Sequence, residues 1–146
     1  MINKIGKKYS KKRDTILQVI QSTTSHPSAQ WVYEKIKLWI PSISLATIYR
    51  NINLFRQHGS VVSVGVVDGA ERFDGIVTPH PHFVCSRCGM VIDIPCPDME
   101  ILKAILGDHG ENLQSFIVDY RKTVFYGFCT DCRDKALLLE NYGLSR

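Results

Sequence analysis

Four of the five cysteines fall in two Cys-x-x-Cys pairs, Cys85/Cys88 and Cys129/Cys132, with 40 residues between the pairs. Each pair presents two soft thiolates from a tight turn, and two pairs complete the tetrahedron that Zn2+ prefers. A shell closed by four sulfurs has no open position, so this spacing predicts a structural zinc site. A redox pair of the thioredoxin type would open a helix in a βαβ unit; the first pair lies between expected strands instead. Cys96 fits neither pair.

The first pair sits inside a second kind of donor set. The stretch His80-Pro-His82-Phe-Val-Cys85-Ser-Arg-Cys88-Gly-Met-Val-Ile-Asp93 adds two imidazoles and a carboxylate. These nitrogen and oxygen donors suit iron, manganese or zinc in a more open shell. His80 and His82 are two apart, so on extended chain they point the same way. Asp93 comes within reach if the strands on either side of the cysteine turn pair. Spacing alone therefore nominates His80, His82 and Asp93.

These groups need elements to position them, and 146 residues with 45% hydrophobic content can supply a core. No apolar run is long enough to span a membrane, and the basic N-terminus lacks the apolar segment of a secretory signal. The expectation is a cytoplasmic protein whose cysteines bind metal rather than pair as disulfides. Charge is uneven. Residues 1–59 carry ten Lys/Arg and two acids, a balance of +8; residues 60–146 carry eight and twelve, a balance of −4. A basic module joined to an acidic one points the first half at a polyanion.

The pattern of that first half agrees. Ser10 is placed to cap a helix with Ile16, Leu17 and Ile20 on one face. Ser28 caps a second, with Ala29, Val32, Ile36 and Trp39 on its face before Pro41. Ser44 caps a third, with Leu45, Ile48, Ile52 and Phe55. The other face of this third helix carries Thr47, Tyr49, Arg50, Asn53 and Gln57, side chains that suit phosphates and base edges. A β-branched run from Val61 to Val67, the turn pair Asp68-Gly69 and a return strand to Asp74 complete a winged helix-turn-helix expected to bind double-stranded DNA. Ser44, Thr47, Tyr49 and Arg50 are the candidate groove contacts, and Lys11, Lys12 and Arg13 the candidate backbone contacts.

Residues 77–81, rich in proline, read as a hinge after a DNA-binding domain over 1–76. Residues 82–146 read as a small α/β domain: strands near Phe83 and over Met90–Ile94, a helix over Met99–Leu106, antiparallel strands over Ser115–Tyr120 and Thr123–Phe128, and a last helix to about Asn141. The class is α+β. A domain so small gains by pairing with a second copy, so a homodimer is expected.

Five motifs in order, His26-Pro-Ser-Ala, Ser44-Leu-Ala-Thr-Ile-Tyr49-Arg50, Arg72-Phe-Asp74, His80-Pro-His82-Phe-Val-Cys85 and Tyr126-Gly-Phe-Cys129, resemble the ferric uptake regulator (Fur) family across almost the whole chain. The resemblance implies a homodimeric, DNA-binding transcriptional repressor with a winged helix and a dimerisation domain, and no enzyme. It is strongest to the peroxide-sensing, PerR-type branch. That branch implies a regulatory Fe2+ or Mn2+ held by His26, Asp74, His80, His82 and Asp93, adding His26 and Asp74 to the set that spacing gives. It associates aspartate at position 93 with peroxide sensing, and implies oxidation of His26 or His80 as the signal. Arg50 resembles the iron-responsive branch, which keeps an iron- or zinc-responsive uptake regulator as the alternative. A zinc deaminase would need His-x-Glu near Pro-Cys-x-x-Cys; His80-Pro-His82 lacks the glutamate, and neither cysteine pair follows a proline.

Overall fold

Apolar residues at steps of three and four make three helices in the first half of the chain: α1 (Lys11–Gln21), α2 (Ala29–Lys37) and α3 (Leu45–Gln57). The computed structural model describes residues 10–95 and 123–141. Ile16, Val19 and Ile20 of α1, Ala29, Val32 and Ile36 of α2, and Ile48, Ile52 and Phe55 of α3 are buried in one cluster. Each large side chain in it contributes about 1.5–3 kcal/mol by leaving water. The Ser28 and Ser44 hydroxyls accept from the N–H groups of Trp31 and Thr47 and so cap α2 and α3. Ser10 occupies the N-cap position of α1 without a side-chain cap bond. Val19, rather than Leu17, completes the buried face of that helix.

Trp39 departs from expectation. The periodicity puts it on the buried face of α2, yet the helix ends at Lys37 and Trp39 is 65% exposed. The cause is Pro41, which disfavours helical backbone at Ile40. The chain closes earlier, with the N–H groups of Trp39 and Ile40 both donating to the Ile36 carbonyl. Ile40 packs against the core in place of the indole.

Strands β1 (Val62–Val67) and β2 (Ala70–Asp74) form a hairpin. Asp68 and Gly69 both have positive φ, 51° and 75°, as a type I′ turn requires. Phe73 of β2 joins the helical core. Beside it, the Phe73 N–H donates to the Pro27 carbonyl, and Arg72 forms an isolated bridge with Ser28. The loop between α1 and α2 is thereby tied to the end of β2.

The described residues divide into two compact units parted between Val77 and Thr78, with Val66–Gly69 grouped with the second. The second unit holds β3 (His82–Cys85), β4 (Val91–Asp93), β5 (Val124–Gly127) and a helix, α4 (Thr130–Asn141). The strand order is β4-β3-β5. Strand β4 runs antiparallel to β3 with Asp93 opposite His82, while β5 runs parallel to β3 with Gly127 opposite Cys85. Cys96, the helix expected over Met99–Leu106 and the strand expected over Ser115–Tyr120 lie outside the described residues. Among the described residues no helix is long and apolar enough to cross a membrane.

Candidate metal centres and nucleic-acid interface

The sheet register assembles the four cysteines. Cys85 closes β3, and the chain turns back so that the Gly89 N–H donates to the Cys85 carbonyl and the Cys85 N–H to the Met90 carbonyl, both at 2.9 Å. Gly89 takes φ +66°, a left-handed conformation that glycine adopts at least cost. The parallel pairing of β5 continues past the strand, with the Ser86 N–H donating to Gly127 O at 2.8 Å, and so delivers Cys129 to the same end of the sheet. Cys132 follows in the first turn of α4, so this second pair does open a helix.

One sulfur from each cysteine lies within 4.8 Å of the other three. The Cys88 and Cys129 sulfurs are 3.8 Å apart. Zn–S bonds of about 2.3 Å give a tetrahedron with edges of about 3.8 Å, so the donor set fits zinc. The thiols are electrostatically unequal. The Cys129 N–H, 3.4 Å from the Cys85 sulfur, and then the Cys88 N–H stabilise the Cys85 thiolate and lower its pKa to about 6. Burial, reinforced by the neighbouring thiols, pushes Cys132 up to about 12. Four thiolates at this spacing need a cation among them to ionise together.

The nitrogen and oxygen donors form one group on each unit. On the second, His80, His82 and Asp93 offer ligand atoms within 4.8 Å of one another. The antiparallel register sets Asp93 across from His82, and the imidazoles of His80 and His82 lie 4.5 Å apart. His80 Nε2 is 3.0 Å and His82 Nε2 3.5 Å from the same oxygen, Asp93 Oδ1. His80 Nδ1 lies 2.7 Å from the Thr78 carbonyl, which can only accept. Nδ1 therefore carries a proton, and in the neutral ring Nε2 faces the carboxylate with a lone pair. A lone pair and a carboxylate oxygen at 3.0 Å attract only through a shared proton or cation, and the orienting carbonyl is typical of metal-bound histidine.

On the first unit, His26 and Asp74 are buried and offer ligand atoms within 4.8 Å of each other. The Ile76 N–H donates to Asp74 Oδ1 at 2.7 Å and fixes that carboxylate. His26 has φ 51°, a left-handed conformation uncommon outside glycine.

The exposed face of α3 and the start of α1 border a cleft of about 770 Å³. Lys12, Arg13, Thr47 and Arg50 line it; Ser44, Lys11 and Tyr49 are exposed but are not part of its lining. Ser44 is occupied as a cap, its hydroxyl 2.8 Å from that of Thr47. Asn53 and Gln57, which the sequence puts on the same polar face of α3, also line the cleft, as does Asn51, which sequence reasoning did not name. Asn51 is the informative omission. Its amide donates to the Thr47 carbonyl at 2.8 Å, and its carbonyl accepts from Arg13 Nε at 3.4 Å, linking α1 to α3. Thr78 was likewise missed, since its contribution is a backbone carbonyl that no residue type announces.

Known proteins match this arrangement. The ferric uptake regulator family model matches residues 4–121. The peroxide-responsive repressor PerR of Staphylococcus aureus (strain USA300) is 29% identical over 134 residues, covering 92% of this chain and 88% of that protein. The solved Campylobacter jejuni peroxide stress regulator superimposes with a TM-score of 0.65 at 30% identity, covering 83% of this chain and 88% of that one. The Vibrio cholerae ferric uptake regulator gives 0.64 at 29% identity, covering 85% and 93%. With the family model matched over most of its length, the chain belongs to the ferric uptake regulator family.

Proposed function

We propose that this protein is a homodimeric repressor that binds an operator in double-stranded DNA when a regulatory metal is held by His26, Asp74, His80, His82 and Asp93, and that it responds to peroxide. The observation that carries the reading is the convergence of two imidazole Nε2 atoms on one oxygen of Asp93, with His80 oriented by the Thr78 carbonyl. Three donors from one unit and two from the other leave a six-position shell one place short. Residues 1–76 act as the winged-helix module, 77–81 as the hinge, and 82–146 as the dimerisation domain with zinc on Cys85, Cys88, Cys129 and Cys132. Ligands drawn from both sides of the hinge make metal binding select one angle between the modules. In a dimer that angle sets the separation of two recognition helices, and operator half-sites are spaced by helical turns.

Ferrous iron, when bound, supplies the electron that reduces peroxide beside its own ligands, whereas manganese(II) does not. His26 and His80 would present the imidazole carbons: one peroxide oxygen would end on a ring carbon in place of its hydrogen, the other would leave as water, and the ring would lose two electrons overall. An oxidised ring is a poor donor, so the hinge is released and repression ends. The likeness to the S. aureus and C. jejuni peroxide regulators favours this reading. An iron-responsive regulator is the second reading, favoured by the comparable likeness to the V. cholerae protein.

An operator-binding titration with Mn(II) and Fe(II), each with and without peroxide, separates them. The expected result is metal-dependent binding in which peroxide abolishes only the iron form, with one added oxygen on the peptide holding His26 or His80. Iron-dependent binding that survives peroxide with both histidines intact supports the iron-responsive reading. Oxidation confined to the cysteines overturns the histidine mechanism.

A further inference from the structure

We propose that Arg72 is a positioning residue for His26, an inference that rests on the reading of His26 as a metal ligand. The left-handed backbone of His26 (φ 51°) is a conformation that persists only where the surroundings over-determine it. Those surroundings are the end of β2. The Ser28–Arg72 bridge and the Phe73 N–H on the Pro27 carbonyl, at 3.1 Å, hold the residues that follow. Arg72 Nη1 then donates to the carbonyl of His26 itself, at 3.4 Å across 46 positions of sequence.

The side chain is not placed for its own comfort. Its Nε is buried and meets no acceptor among the described residues. A buried guanidinium N–H without an acceptor opposes stability, so this placement is explained by what the other nitrogens hold. Arg72 and Asp74 are two apart on β2 and so share a face of the strand. One strand thus supplies a candidate ligand, Asp74, and a clamp on the loop that carries another. The planar fork of arginine lets Nη1 bond the carbonyl from a fixed direction, which a flexible ammonium does not reproduce.

The test measures Mn(II) affinity of the full-length, zinc-loaded protein from the paramagnetic resonance of the free ion. It compares wild type, Arg72→Met, Arg72→Lys, His26→Ala and the double variant Arg72→Met with His26→Ala. Arg72→Met is expected to bind Mn(II) about 10- to 100-fold more weakly, with zinc content and unfolding temperature unchanged. Arg72→Lys is expected to recover part of that loss. In the His26→Ala background Arg72→Met is expected to cost nothing further, because its effect passes through His26. Equal affinity of Arg72→Met and wild type overturns the proposal, and so does an additive loss in the double variant. Should Arg72→Met fail to fold, Arg72→Gln, which keeps an amide donor, is judged by the same two criteria. A wild type whose Mn(II) binding is indifferent to His26→Ala overturns the ligand reading itself, and with it this one.

Discussion

The thiolate cluster takes all four ligands from one unit, and the turns that carry them are hydrogen-bonded to one another. The proposed His/Asp set takes two ligands from the first unit and three from the second. A cation in the first kind of cluster adds to the stability of a single unit, and its removal costs folding. A cation in the second kind binds only as well as two units agree on an arrangement, so its occupancy reports and selects that arrangement. On our reading, the same chain therefore uses a metal as a fastener in one place and as a signal in the other.

The largest effect should come from breaking the fastener. Cys85→Ser or Cys129→Ser is expected to lose zinc outright and to aggregate, followed by metal analysis and size-exclusion chromatography. A zinc-free wild-type protein that is folded and dimeric would make the cluster dispensable and end the contrast. Acid should weaken the same site. The Cys85 thiol is lowered to about 6 in the fold, below its ordinary value. Its contribution to stability is complete above the ordinary thiol pKa and disappears as pH falls through about 6. Zinc captured by a chromophoric chelator should rise as pH is lowered from 8 to 5, most steeply near and below 6.

Next in size is His82→Ala. It should keep zinc and fold, but lose Mn(II) affinity by more than about 100-fold and lose metal-dependent operator binding with it, since a ligand matters more than its supports. Loss of zinc in this variant would show that the two clusters are one structural unit, against the comparison.

The two clusters also differ in how far the sequence disclosed them. The cysteine pairs are legible because two residues at fixed short spacing define a turn and a donor set together. His80, His82 and Asp93 are legible because strand alternation and one turn bring them close. His26 lies far upstream in a loop, next to a proline, where periodicity says nothing; only the family resemblance named it. The parallel pairing of β3 with β5 was not legible either, since an alternating pattern does not specify a distant partner. Trp39 was misplaced because its apolar spacing was weighed above the nearby Pro41. For His26 and β5 the local chemistry is readable and the long-range pairing is not; for Trp39 two local signals conflict, and the proline prevails.

Smaller effects are expected in the cleft of the first unit, where neither cluster lies and where DNA contact can be separated from metal control. Arg50 and Lys12 both line it, yet they differ in kind. Arg50 sits on the exposed face of α3, within 3.5 Å of the Thr47 hydroxyl, so its guanidinium is partly oriented before DNA arrives. Arg50→Ala should cost about 1–3 kcal/mol at the operator and relax base preference, with Mn(II) and zinc affinities unchanged. Lys12 lies at the start of α1 and is a flexible point charge suited to a phosphate. Lys12→Ala should weaken operator and random DNA about equally and lower the slope of log affinity against log salt by about 1. Fluorescence anisotropy across a salt series measures both variants. A Lys12→Ala loss confined to the operator would assign that residue a base, and an Arg50→Ala loss shared equally by all sequences would assign that one a phosphate. Either result would require a different docking of α3 in the groove.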